Sequence, residues 1–309
     1  MLSLILAAAL LSDPVSAPVT LPSEPAPLHG TLLTPEGPTR AAAVILPGSG
    51  PTDRDGNSPG GLVASTYRLL AEGLAEHGVA TVRIDKRGIG ASAFAAGRQE
   101  DLRFGHMADD ARAWAGHAAA RTGQPCVWLI GHSEGALVAQ VAAGTGNDSI
   151  CGLILLAGAG RPAGTVLREQ LEAGLPEALK APAFAALDEL EAGRPVPNPP
   201  AELAALFRPS IQPYLISWAA LDPAELIRDY DGPVMIGLGT TDIQVSLVDA
   251  RTLSEAQPAA RLVLWEGVNH VLKTAPADRA GNIAVYGDPN LPLAPGVVDD
   301  VADFILRPR

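Results

Sequence analysis

Val127-Trp128-Leu129-Ile130-Gly131-His132-Ser133-Glu134-Gly135-Ala136-Leu137-Val138-Ala139 is the stretch that decides how this chain reads. Four apolar residues in succession, 127–130, read as a buried strand, the Ala- and Leu-rich run from 136 reads as a helix, and Gly-x-Ser-x-Gly lies between them. A serine at such a junction occupies a strained tight turn, with small residues two before and two after it so that strand and helix can approach. The string alone also fits an ordinary strand-to-helix turn. Its flanking elements are what make Ser133 a candidate nucleophile.

A serine hydroxyl is a poor nucleophile at neutral pH unless a base takes its proton and an acid orients that base. Downstream, an apolar run at 234–238 leads into Gly239-Thr240-Thr241-Asp242, and another at 262–264 leads into Trp265-Glu266-Gly267-Val268-Asn269-His270. Each places a candidate partner just past a strand's C-terminal end, in the order Ser133, Asp242, His270. Asp231 precedes its strand and Asp249 falls in the first turn of the next helix, so Asp242 is preferred to both. His132 belongs to the turn and does not easily fold back on its neighbour. His29, His77, His106 and His117 precede the nucleophile and read as surface or packed histidines.

An attacked carbonyl also needs donors for its oxyanion. The backbone N–H of Glu134 is one candidate. The other should come from the loop after the early strand at 43–46, Pro47-Gly48-Ser49-Gly50-Pro51, with Ser49 the first candidate and Gly50 the second. A phosphate-cradling loop is the rival reading there, and the Gly-Lys-Ser/Thr ending it requires is missing. No His-Glu-x-x-His motif occurs and two cysteines make no zinc site, so no metal is expected.

Short apolar runs at 19–21, 29–33, 43–46, 79–84, 127–130, 153–156, 234–238 and 262–264 alternate with amphipathic stretches at 65–76, 108–121, 133–143, 247–256 and 297–306. That alternation predicts an α/β fold whose mostly parallel sheet is flanked by crossover helices. It is broken once, by about seventy residues at 161–229 that carry helical patterns and Pro-rich punctuation, far more than an ordinary connection. The expected organisation is therefore a core of 18–160 and 230–309 with a helical cap at 161–229. The cap should lie over the C-terminal edge of the sheet and form the acyl pocket, with bulky residues of 203–216 setting acyl length.

Composition narrows the partners. The 309 residues include 22 Lys and Arg against 34 Asp and Glu, a net charge of −12 that repels phosphate backbones and anionic headgroups, so nucleic acid is not expected as a partner. The longest apolar run, residues 2–11, is half of the roughly 20 residues a membrane span requires, and no integral membrane segment is expected in the mature chain. That run is followed by Val15-Ser16-Ala17, which has the small-residue form of a secretory cleavage site and makes residues 1–17 a candidate signal peptide. Two features oppose it: no Lys or Arg precedes the apolar run, and Pro18 would follow the cut. A periplasmic or secreted protein is the expectation. A cytoplasmic one, with the apolar segment packed on the domain, is the alternative.

Nearly the whole chain resembles the α/β-hydrolase superfamily. Leu46-Pro47-Gly48-Ser49-Gly50-Pro51-Thr52-Asp53-Arg54-Asp55-Gly56-Asn57, Asp85-Lys86-Arg87-Gly88-Ile89-Gly90-Ala91-Ser92, Gln212-Pro213-Tyr214-Leu215-Ile216-Ser217-Trp218 and Asn269-His270-Val271-Leu272-Lys273 look like the strings of bacterial carboxylesterases and of lysophospholipase or serine-aminopeptidase-like hydrolases with a helical cap. The resemblance implies cofactor-free hydrolysis of a small-molecule ester by the triad Ser133, Asp242 and His270. A peptidase or amidase of the same branch is the alternative, and a catalytically silent binding module the third. Asp85 and Arg87, like Asp53, Arg54 and Asp55, are expected to hold loops rather than react, and Tyr214 and Trp218 to pack the cap. In such a fold Cys126 and Cys151 begin neighbouring parallel strands, so a disulfide and two buried thiols both stay open.

Overall fold

A computed structural model describes residues 14–144 and 146–307 of the chain. The apolar runs form one sheet of eight strands: β1 (Val15–Leu21), β2 (Leu28–Thr34), β3 (Ala41–Leu46), β4 (Val79–Ile84), β5 (Val127–His132), β6 (Ile150–Leu156), β7 (Val234–Gly239) and β8 (Arg261–Trp265), in the order β1-β2-β4-β3-β5-β6-β7-β8. β2 runs antiparallel to both β1 and β4, and every other pairing is parallel. Central strands buried on both faces need apolar residues throughout, which is why β5 and β7 are unbroken runs rather than alternating ones.

Among the described residues the helices are α1 (Thr66–Glu76), α2 (Phe104–Thr122), α3 (Glu134–Ala143), α4 (Ala163–Gly174), α5 (Glu177–Glu191), α6 (Ala204–Phe207), α7 (Gln212–Ala219), α8 (Pro223–Arg228), α9 (Leu247–Ala256), α10 (Arg279–Tyr286) and α11 (Val297–Leu306). Successive strand residues point to opposite faces. Val44, Leu46 and Leu129 therefore meet Trp114 of α2, Val138 of α3 and Leu253 of α9, while Ile45 and Ile130 meet Leu70 of α1 and Val301 of α11. This is the mostly parallel α/β architecture that the alternation predicts and the α/β-hydrolase fold that the resemblance implies, and each expected strand is present. Of the helices outside the insertion, α10 alone escaped that reading.

Between β6 and β7 the chain runs through α4 to α8. Leu187, Leu190, Leu203, Phe207 and Leu215 form a small core of their own there, whereas Ile227 of α8 is buried with the first face of the sheet. β1 begins earlier than expected, so Val15, Ser16 and Ala17 pair with Thr34, Leu33 and Leu32; the remainder of the expected signal, 1–13, lies outside the described residues. Cys126 and Cys151 are joined by a disulfide with their Cα atoms 5.2 Å apart, a bridge made possible by the pairing of Val127 with Ile150. No helix among the described residues is long and apolar enough to cross a membrane.

Candidate active site

β5 delivers Ser133 into a turn with φ 54° and ψ −121°, a conformation that costs of order 1–3 kcal/mol for a residue with a side chain. The Ser133 N–H donates to the Leu156 carbonyl at 2.9 Å, which anchors the turn to β6. Its two glycines are required by contact. A Cβ on Gly131 would stand 2.2 Å from the Gly135 carbonyl oxygen, and one on Gly135 would stand 2.3 Å from that of Leu46.

Past the end of β7, the Asp242 side chain is 1% exposed, and its Oδ1 accepts the N–H groups of Gln244 and Val245 at 2.7 and 2.9 Å. Oδ2 faces Nδ1 of His270, past the end of β8, at 2.8 Å. A carboxylate accepts only, so Nδ1 carries the proton and Nε2 is left as the basic nitrogen. The His270 loop is pinned by the Asn269 N–H donating to Lys273 and by the Thr66 hydroxyl donating to the Val271 carbonyl at 3.0 Å. His270 and Ser133 line the same part of one cleft. Asp231 is exposed, and Asp249 is already held by Arg161 Nε at 2.9 Å and by Ser246, so the structure pairs Asp242 with the histidine.

Glu134 opens α3, where a first-turn N–H has no intrahelical acceptor. Among the described residues neither that N–H nor the Ser49 N–H has a protein acceptor. Ser49 lines the cleft on both sides of Ser133; Gly50 lines neither side and has φ 69°.

A family profile described as serine aminopeptidase (S33) matches residues 60–262, two thirds of the chain. The chain belongs to that family of α/β-hydrolases. It is a hydrolase. Among solved structures it is similar to Est1E from Butyrivibrio proteoclasticus, at TM-score 0.60 and 17% identity over 94% of this chain and 99% of that one. The esterase domain of a Rhodothermus marinus protein gives 0.55 and 18% over 88% and 95%. Proline iminopeptidase from Mycobacterium smegmatis gives 0.53 and 17% over 82% and 92%. No curated protein matches the chain.

In this serine aminopeptidase family member the cleft has two lobes that meet at Ser133. One is walled by the core, with Thr52, Thr66, Tyr67, His132 and Tyr286. The other is mostly apolar, with Leu137 and Val245 from the core and Ala163, Val166, Leu167 and Trp218 from α4 and α7, and with Glu134 and Arg161 as its charged residues. Residues 203–216, expected to set acyl length, line neither lobe: Leu203, Phe207 and Leu215 are buried in the insertion's own small core, and Tyr214 packs on Phe104 of α2. Trp218, expected only to pack, lines the apolar lobe.

His132, passed over in the sequence, accepts from or donates to two partners at once. Its Nδ1 meets the Tyr67 hydroxyl at 2.9 Å and its Nε2 meets the His270 carbonyl at 2.7 Å. The His270 carbonyl can only accept, so Nε2 carries the proton of the neutral ring and Nδ1 accepts from the Tyr67 hydroxyl, which itself accepts the Gly48 N–H at 2.9 Å. Burial, reinforced by the neighbouring His270, pushes His132 down to about 3 and keeps it neutral for this task. No sequence signal marks Tyr67 or Tyr286, because both partners lie on distant helices. His29, His77, His106 and His117 line neither lobe.

The loop-holding residues behave as expected. Asp85 accepts the N–H groups of Arg54 and Ala91 at 2.9 and 2.8 Å, and Arg87 grips Asp110. Asp53 accepts from the backbone of Asp55 and Asn57, and Asp55 pairs with Arg83.

Proposed function

We propose that this hydrolase cleaves neutral carboxylic esters through an acyl-enzyme. Ser133 Oγ attacks the carbonyl carbon and His270 Nε2 accepts its proton. Asp242, already bonded to Nδ1, stabilises the imidazolium. The N–H groups of Ser49 and Glu134 receive the oxyanion, His270 returns the proton to the leaving alkoxide, and water repeats the sequence to free the acid. In this reading α4 to α7 act as a cap over the acyl lobe.

The observation that carries ester over peptide is the state of the charges at the cleft. Among the described residues Glu134 is the only acidic one lining either lobe, it is 7% exposed, and it is tied to Lys86 and Tyr214. A substrate with a free terminal ammonium would lose its hydration there and find no unpaired carboxylate, a large cost. Arg161 likewise has its charge already met by two carboxylates, Asp249 and Glu169, rather than held free for an anionic substrate. The test is a panel of nitrophenyl esters of graded acyl length against aminoacyl nitroanilides, with Ser133→Ala as the control. Faster turnover of the anilides would move the assignment to the aminopeptidase activity of the family's name.

We propose further that the chain is exported. The Cys126–Cys151 bridge supports this, since such a bond persists only in an oxidising compartment. Fractionation of the native host, with the activity found in the cytoplasm, would overturn it.

A further inference from the structure

Lys86, the residue after Asp85 in the loop beyond β4, enters the reading above only as the partner of Glu134, yet it touches both arms of the proposed oxyanion hole. Its side chain is 11% exposed, its Nζ donates to the Gly48 carbonyl, and Nζ lies 3.6 Å from Glu134 Oε1. Burial lowers its pKa, and the Glu134 carboxylate opposes that shift.

The Gly48 carbonyl and the Ser49 N–H belong to one planar trans peptide unit, in which C=O and N–H point in opposite directions. A donor that fixes the carbonyl therefore fixes the direction of the N–H. Drawing electron density toward the carbonyl oxygen also makes that N–H a stronger donor. On the preceding peptide the Gly48 N–H is held by Tyr67, so the unit is gripped from both sides. The second arm is held through the side chain of the residue whose N–H forms it: Glu134 meets Lys86 on one side and, on the other, Tyr214 of α7, a hydroxyl whose ionisation burial and that carboxylate together oppose.

We propose that Lys86 is the positioning residue of the oxyanion hole, one cation that aligns the Ser49 and Glu134 N–H groups and places its charge behind both. The inference rests on the ester-hydrolase reading and deepens it. It assigns Lys86 no contact with substrate and no proton transfer.

The experiment compares a nitrophenyl oxoester with its thionoester on wild type and Lys86→Met, with folding checked by circular dichroism and melting. Sulfur accepts hydrogen bonds weakly, so thionoester turnover draws little from an oxyanion hole. Loss of a single oxyanion donor costs roughly 10²–10³-fold in kcat, and a misaligned pair should cost about 10–100-fold on the oxoester. KM and the thionoester kcat should move far less. Lys86→Gln, which keeps a neutral donor for Gly48, should fall between wild type and Lys86→Met. Equal losses on both esters, or no loss on the oxoester, would overturn the proposal, as would failure of both variants to fold, which would assign Lys86 to structure alone. Failure of the ester reading is seen separately, as wild type that turns over neither ester.

Discussion

The two lobes of the cleft are built in opposite ways. The lobe on the core side is a mesh of hydrogen bonds in which Tyr67, His132, His270 and Asp242 each hold the next, and its walls come from segments as far apart in sequence as α1 and α10. On the other side, Val166, Leu167 and Trp218 contribute apolar surface from helices that have a small core of their own and meet the sheet's core through Trp218 on Phe104. Directional bonds fix atoms to a few tenths of an ångström, which proton transfer needs. Apolar packing tolerates exchange of one side chain for another of similar volume. Under the proposed ester-hydrolase reading, the first lobe carries the chemistry and the second the choice of acyl group.

The hardest way to break that division is to remove its shared atom. Ser133→Ala should lower ester turnover by roughly 10⁴–10⁶-fold with an unchanged melting temperature, read by steady-state kinetics and calorimetry. Residual activity near wild type would displace the nucleophile. Asp242→Asn keeps the shape of the core lobe but changes what Nδ1 of His270 meets; a loss of order 10⁴-fold in kcat is expected, with little change in KM. A smaller and more selective effect belongs to the apolar lobe: Leu167→Trp should cut kcat/KM for long acyl chains by roughly 10- to 100-fold while leaving acetyl esters within about threefold. Uniform loss across chain lengths would mean that the lobe is not the acyl pocket.

Acid sharpens the comparison, because the core lobe contains the buried His132. Its folded pKa, pushed down to about 3, lies below the ~6.5 of an unfolded histidine, so between those values the unfolded chain binds the extra proton. The stability this group contributes is complete above about pH 6.5 and is lost as pH falls toward 3, by a few kcal/mol at most. Denaturant melts at pH 7 and pH 4 should therefore diverge more for wild type than for His132→Asn. Parallel behaviour would mean that the histidine titrates normally.

Much of this arrangement was legible in sequence because it is local. Ser133, Asp242 and His270 each follow directly on an apolar strand, and a strand's end fixes where the next residues go. Gly131 and Gly135 declare the close approach that they permit. What stayed illegible depends on contacts between distant segments: Tyr67 sits 65 positions from the histidine it bonds, and nothing in α1 announces that it meets the end of β5. The apolar lobe was misplaced for a related reason. Helical periodicity in 161–229 identifies helices but not which of their faces meets the cleft, and the bulkiest residues, such as Phe207, went to the insertion's own core.

The Cys126–Cys151 bridge closes a covalent ring that contains the whole of β5, Ser133 and α3. A protease that cuts the chain once between α3 and β6 would therefore not release the fragment bearing the serine. The nicked protein would run as one species until reduced and as two afterwards, and a phosphonate tag on Ser133 would travel with the N-terminal piece.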